Sequence, residues 1–87
     1  MSKKRLDQMR PNERAIIRHI GELGELKQRL LEMGVLCGEP VEVVRKAPFG
    51  GPIQIRVGQT DMALRRDEAA RIEVESLSAR ASGKVVK

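Results

Sequence analysis

VEVVRKAPFGGPIQIRV, residues 41–57, reads as two strands joined by a turn, and it sets the architecture of the chain. In its second half Ile53, Ile55 and Val57 point one way while Gln54 and Arg56 point the other. In the first half Val41 and Val43 share a face opposite Glu42 and Val44. Between them Gly50 and Gly51 lie inside a bracket of Pro48 and Pro52. Such a segment could be a phosphate cradle, an RNA-binding tip or a tight reversal. A Walker loop ends in Gly-Lys-Ser/Thr and opens a helix, and a dinucleotide fingerprint spaces three glycines after a strand, because both present helix N-terminal amides to anionic oxygens. Here a proline and a strand follow the pair, so the segment predicts a hairpin in which glycine supplies the positive φ of the reversal.

Working outward, residues 10–20 open on a Pro-Asn turn signal and continue into a β-branched run, Ile16, Ile17 and Ile20, whose alternation is imperfect. Leu23, Leu26, Leu30 and Met33 then recur at helical spacing, a stripe expected to face the core. Gly34 is expected to end that helix, with Leu36 folding back on it. After the hairpin, Met62 and Leu64 alternate with polar neighbours, RDEAA (residues 66–70) can form a single helical turn, and Ile72 and Val74 mark a last strand. The total is a mainly β fold of about five short strands with a helical insertion after the first. Five strands, each apolar on one face, hide their edges by curling into a small SH3-like or OB-like barrel.

With 87 residues this is one domain that buries only about 60% of its extended-chain surface. One Phe and no Tyr or Trp leave the core to Ile, Val, Leu, Met and Ala. The formal charge of +5 is unevenly spread. Lys3, Lys4, Arg5 and Arg10 outweigh Asp7 at the start, and Arg80, Lys84 and Lys87 stand without an acid at the end. The middle is nearly neutral. Residues 1–9 therefore read as a basic tail, 10–75 as the domain and 76–87 as a disordered tail. Charge confined to tails, and no aromatic platform, argue against a nucleic-acid-binding barrel. Basic tails could still touch an anionic membrane surface.

A single cysteine, Cys37, excludes an internal disulfide and a CxxC pair. His19 and Cys37 are the soft metal ligands, with Glu22 and Glu25 close after His19, but a bona fide site normally shows at least three ligands at paired spacing. Nothing resembles a Ser/His/Asp or Cys/His set, so an enzyme is not expected. Two kinds of residue stand out as candidate partner contacts. Ala47, Pro48, Phe49 and Gly50 form a turn tip whose aromatic has little core to enter, and Leu26 and Leu31 lie on the helix. Arg45 and Lys46 could add charge, although a solvated strand end explains them equally well.

Taken in order, RLLEMGV with Gly34, the turn glycine Gly38, VEVVRKAP, Gly50 and Pro52 before IQIRV, and ALRRDEAARIEV resemble the FeoA family, small cytosolic proteins of bacterial ferrous iron uptake. The resemblance covers residues 6–75. It implies an SH3-like barrel with a helical insertion and an accessory role beside FeoB, a membrane ferrous iron transporter with a GTP-binding domain. Family members commonly carry proline before the turn glycine, where this chain has Cys37. The expectation is a cytoplasmic, non-enzymatic activator that reaches the membrane through its transporter and binds no nucleic acid. No cofactor is required on this reading, although weak binding of Fe2+ or adventitious Zn2+, a metal carrier or sensor role through His19 and Cys37, and homo-oligomers stay open.

Overall fold

A computed structural model describes residues 3–77, with strands β1 (Lys3–Arg5), β2 (Arg14–Ile20), β3 (Pro40–Lys46), β4 (Ile53–Val57), β5 (Thr60–Leu64) and β6 (Ile72–Ser76). Helix α1 (Glu25–Glu32) follows β2, a four-residue helix α2 (Arg66–Ala69) follows β5, and a 3₁₀ turn (Leu6–Gln8) follows β1. The strands form one antiparallel sheet in the order β1-β6-β2-β3-β4-β5. There are therefore six strands rather than about five, and the sheet has two edges, β1 and β5.

The period-2 pattern places the core where the hairpin segment predicts it. Val41, Val43, Ile53, Ile55 and Val57 are buried, joined by Leu64, Ile72 and Val74 from the later strands. The broken alternation of β2 has a local cause. Ile17 pairs with Val74 and His19 with Glu73, so the register slips at Arg18 and returns Ile20 to the inner face beside Ile72. Ala15 and Ile17 are buried and Ile16 is half-buried.

The helix end also departs from expectation. Gly34 does terminate α1 in the left-handed region, at φ 89°. Its N–H donates to the Leu31 carbonyl (3.1 Å) and the next N–H, of Val35, donates to the Leu30 carbonyl (2.8 Å). That pair of bonds is a Schellman motif, whose apolar contact belongs to the second residue past the cap. Val35 is accordingly buried with Leu30, and Leu36 is 44% exposed.

The largest correction concerns residues 1–9, read above as a tail. Lys3 and Arg5 stand opposite Glu75 and Glu73 of β6, so the basic start of the chain is a strand matched to an acidic one. Leu6 and Met9 behind it are fully buried in the core. Glu13 fastens this arrangement. Its carboxylate accepts from Lys4 Nζ (2.9 Å), Ser76 Oγ (3.1 Å) and the Arg10 N–H (2.8 Å), which ties β1, β6 and the turn before β2 together. Lys46 adds a second tie, donating from Nζ to the carbonyls of Asp7 and Met9, both at 2.9 Å. At the other end Ser76, assigned above to the tail, closes β6, and Leu77 N–H donates to Arg14 O (2.9 Å). The remainder of the expected C-terminal tail lies outside the described residues.

Burial would push the Glu13 carboxyl up, but the donors from Arg10, Lys4 and Ser76 outweigh it and hold it below its ordinary value of 4.5. A folded value below the unfolded one means that this stabilisation is complete above pH 4.5 and is lost as the pH falls through the folded value. Glu13→Gln should lower stability at neutral pH by about 1–3 kcal/mol, with the difference from wild type shrinking in acid. Met9→Ala should cost about 2–5 kcal/mol at all pH values. Urea unfolding at pH 7 and pH 4 measures both, and a wild-type-like Met9→Ala protein would return residues 1–9 to the status of a tail.

Candidate functional site

The β3–β4 hairpin carries the first candidate surface. Ala47 N–H donates to Pro52 O (2.9 Å) at its root, and Gly51 N–H donates to Pro48 O (3.2 Å) across the tip. The two central residues, Phe49 and Gly50, both have positive φ, 60° and 75°. This is the backbone of a type I′ turn, which suits the twist of a two-strand ribbon and ordinarily takes Asn or Gly at both positions. The left-handed residues are thus Phe49 and Gly50, not the glycine pair. Gly51 is required for a different reason: a Cβ there would lie 2.7 Å from Ala47 Cβ and 3.2 Å from Pro48 O.

Phe49 is strained in its backbone and wholly exposed in its side chain. Neither property serves the core. An L-residue in the left-handed region costs roughly 1–2 kcal/mol, and such strain collects where a surface has work to do. The tip is also held rigid from behind. Arg66, the first residue of α2, donates from Nε to Gly51 O (3.0 Å) and from Nη2 to Ala47 O (3.1 Å), clamping both arms of the reversal. Ala47, Pro48, Phe49 and Gly50 therefore come together as one projecting, braced feature.

The helix candidates separate. Leu26 is half-buried against the core beside Leu23, whereas Leu31 is 40% exposed. Met33, expected on the buried stripe, is 39% exposed, because the helix ends at Glu32 and the chain turns away at Gly34. Between α1 and β5 lies a slot of about 240 Å³ lined by Leu26, Leu30, Met33, Met62 and Leu64, with Arg29 and Arg65 on its rim. It adjoins the hairpin root, since Leu64 pairs with Ile53 and Arg65 precedes the clamping Arg66. Sequence reading did not assemble this slot.

Of the charged candidates, Lys46 is committed to the Asp7 and Met9 carbonyls, and Arg45 stays exposed. His19 sits on the exposed side of β2 and Cys37 in the exposed turn before β3, with Glu22 and Glu25 exposed after β2. Among the described residues no group of three or more His, Cys, Asp and Glu side chains could hold a metal ion. No described helix is long and apolar enough to cross a membrane. On the outer face Arg56 and Asp61 form a two-bond pair across β4 and β5 (2.6 and 3.0 Å), and Asp61 is held below the usual carboxylate range by it.

Residues 4–76 match the FeoA domain family. The chain belongs to that family. It is 36% identical over 78 residues to the Fe(2+) transport protein A/Fe(2+) transporter FeoB fusion protein of Porphyromonas gingivalis, an alignment that covers 90% of this chain and 9% of that protein's length. A crystal structure of an iron uptake regulatory protein, FeoA, superposes with a TM-score of 0.77 at 30% identity, over 87% of this chain and all of that one. FeoA of Stenotrophomonas maltophilia, solved in complex with zinc and described as an SH3 domain protein, gives a TM-score of 0.69 at 33% identity over 86% and 91% of the two chains. The fold is SH3-like, and the family is one of ferrous iron transport.

The strain at the tip is directly measurable. Replacing Phe49 by Asn, which tolerates the left-handed region, should raise stability by about 1 kcal/mol. Thermal or urea unfolding checks this, and a destabilised Phe49→Asn protein would mean that the ring contributes to folding after all.

Proposed function

We propose that this FeoA-family chain is a non-enzymatic accessory protein that binds the cytoplasmic part of a FeoB-type ferrous iron transporter and promotes iron uptake. The observation that carries the reading is the Phe49 turn: the chain's single aromatic is fully exposed, held in a strained conformation and braced by Arg66. A rigid exposed aromatic loses little conformational freedom on docking, and aromatics dominate the energetic centres of interfaces. Ala47, Pro48 and Gly50 contribute to the same contact, with Leu26 and Leu31 on the helix as its flank. The P. gingivalis relative supports the choice of partner, since there one chain carries both names.

On this reading the iron ion is cargo of the partner, and the contact needs no cofactor of its own. Lys3 and Arg5 stand opposite Glu75 and Glu73 in the sheet and Lys4 pairs with Glu13, so these cations are interleaved with acids rather than gathered into a basic patch of the kind a nucleic-acid interface needs.

Pull-down with the cytoplasmic part of FeoB, comparing wild type with Phe49→Asn, tests the tip. The variant is expected to keep or gain stability, and its unfolding curve beside that of the wild type separates lost binding from lost folding. Binding should weaken at least tenfold, about 1.4 kcal/mol or more, as expected for removal of a central anchor. Equal capture of both proteins would take the tip out of the contact.

A further inference from the structure

The slot between α1 and β5 is lined by Met62, Ala63, Leu64 and Arg65 in succession. Successive side chains on a strand point to opposite faces, so a cavity bordered by four consecutive residues meets the edge of β5 rather than one of its faces. The hairpin register says which backbone groups that edge presents. Gly58 and Gln59 form a two-residue loop closed by the pair Val57 and Thr60, and alternate pairs beyond it exchange hydrogen bonds. Thr60, Met62 and Leu64 therefore bond inward to β4, whereas the N–H and C=O groups of Asp61 and Ala63 face out from a strand that has no neighbour on that side among the described residues.

The opposite wall is apolar, formed by Leu26 and Leu30 of α1 and by Met33 just past its end. Arg29 and Arg65 rim the opening and neither side chain has an ion pair among the described residues, while Glu68 Oε1 is occupied by the Arg65 N–H at 2.7 Å. At about 240 Å³ the space is smaller than the roughly 300–1,000 Å³ of small-molecule pockets, and suits one or two side chains of a longer polymer.

We infer that this slot receives an extended acidic-apolar peptide segment of the partner, which adds to β5 as a seventh strand, places apolar side chains against Leu26 and Met33, and sets a carboxylate between Arg29 and Arg65. Main-chain groups on the outer side of β5 recognise an extended segment of any sequence, the alternate pocket selects its apolar residues, and the Arg29 and Arg65 guanidinium groups, which have no ion pair among the described residues, select its charge. The segment would run past the hairpin root, so that Phe49 and the slot engage one partner. This inference rests on the transporter reading above.

Ala63→Pro is the discriminating variant, because proline is tolerated on an edge strand where the lost N–H faces solvent, yet it removes a donor needed to pair a new strand. Arg29→Glu/Arg65→Glu reverses the rim charge on exposed side chains. The full chain, wild type or variant, is titrated with the cytoplasmic part of FeoB while amide exchange is followed residue by residue. Expected results are slowed exchange at Asp61 and Ala63 in the wild-type complex and binding weakened at least tenfold in both variants, each with wild-type unfolding behaviour. Binding that is undiminished in both variants, with Asp61 and Ala63 amides unprotected, overturns the strand-addition site and leaves the transporter reading standing. No binding by the wild-type protein overturns that reading itself, and the strand-addition inference with it. A segment that binds as a helix, leaving the two amides unprotected while Arg29→Glu/Arg65→Glu weakens binding, also overturns strand addition.

Discussion

The Glu13 carboxylate, accepting from Lys4, Ser76 and the Arg10 amide, is the interaction on which this small fold depends. A core built without Tyr or Trp must use its ends, and Leu6 and Met9 enter it only if β1 is held against β6. Lys3 and Arg5 stand opposite Glu75 and Glu73 in the register, Arg5 pairs with Asp7 (3.0 Å) and Glu75 with Arg18 (2.8 Å), and the Lys46 ammonium bonds the carbonyls that the 3₁₀ turn leaves open. Burying a charged carboxylate is costly unless it is fully paired, and here each of its donors comes from a different segment of chain.

Much of the fold was legible because period 2 is a strong local signal. The β3–β4 hairpin, the inner faces of β5 and β6 and the short α2 turn all followed from alternation and turn residues. What escaped was non-local. Lys3, Lys4 and Arg5 carry no apolar alternation, and the β6 residues that β1 pairs with lie some 70 positions away in the chain, so no local pattern marks β1 as a strand. The bulge at Arg18 reset the face of Ile20, and the choice of Val35 over Leu36 as the residue that folds back on α1 depends on the geometry of the cap, which spacing alone does not specify. Phe49 was recognisable as an aromatic on a turn tip, but its positive φ and the Arg66 brace were not. The slot joins residues from α1 and β5 that no motif connects.

The proposed contact surface and the stabilising framework are thus built from different residues. Glu13 and the β1–β6 pairing hold the β1 end of the sheet, while Arg66 braces the hairpin root from which a strained aromatic projects into solvent. Strain at the tip can be sustained because the rest of the sheet over-determines the turn. Exposed apolar residues in a domain this small are expected in part, but an exposed aromatic in a conformation that aromatics avoid calls for an account by use rather than by packing.

The most direct measurement of that account is the rate of ferrous iron transport by a reconstituted FeoB-type transporter, with and without this protein. The account predicts a higher rate with the wild-type chain and the basal rate with Phe49→Asn at the same concentration. Stimulation that is equal for the two proteins, or absent with the wild type, would contradict it.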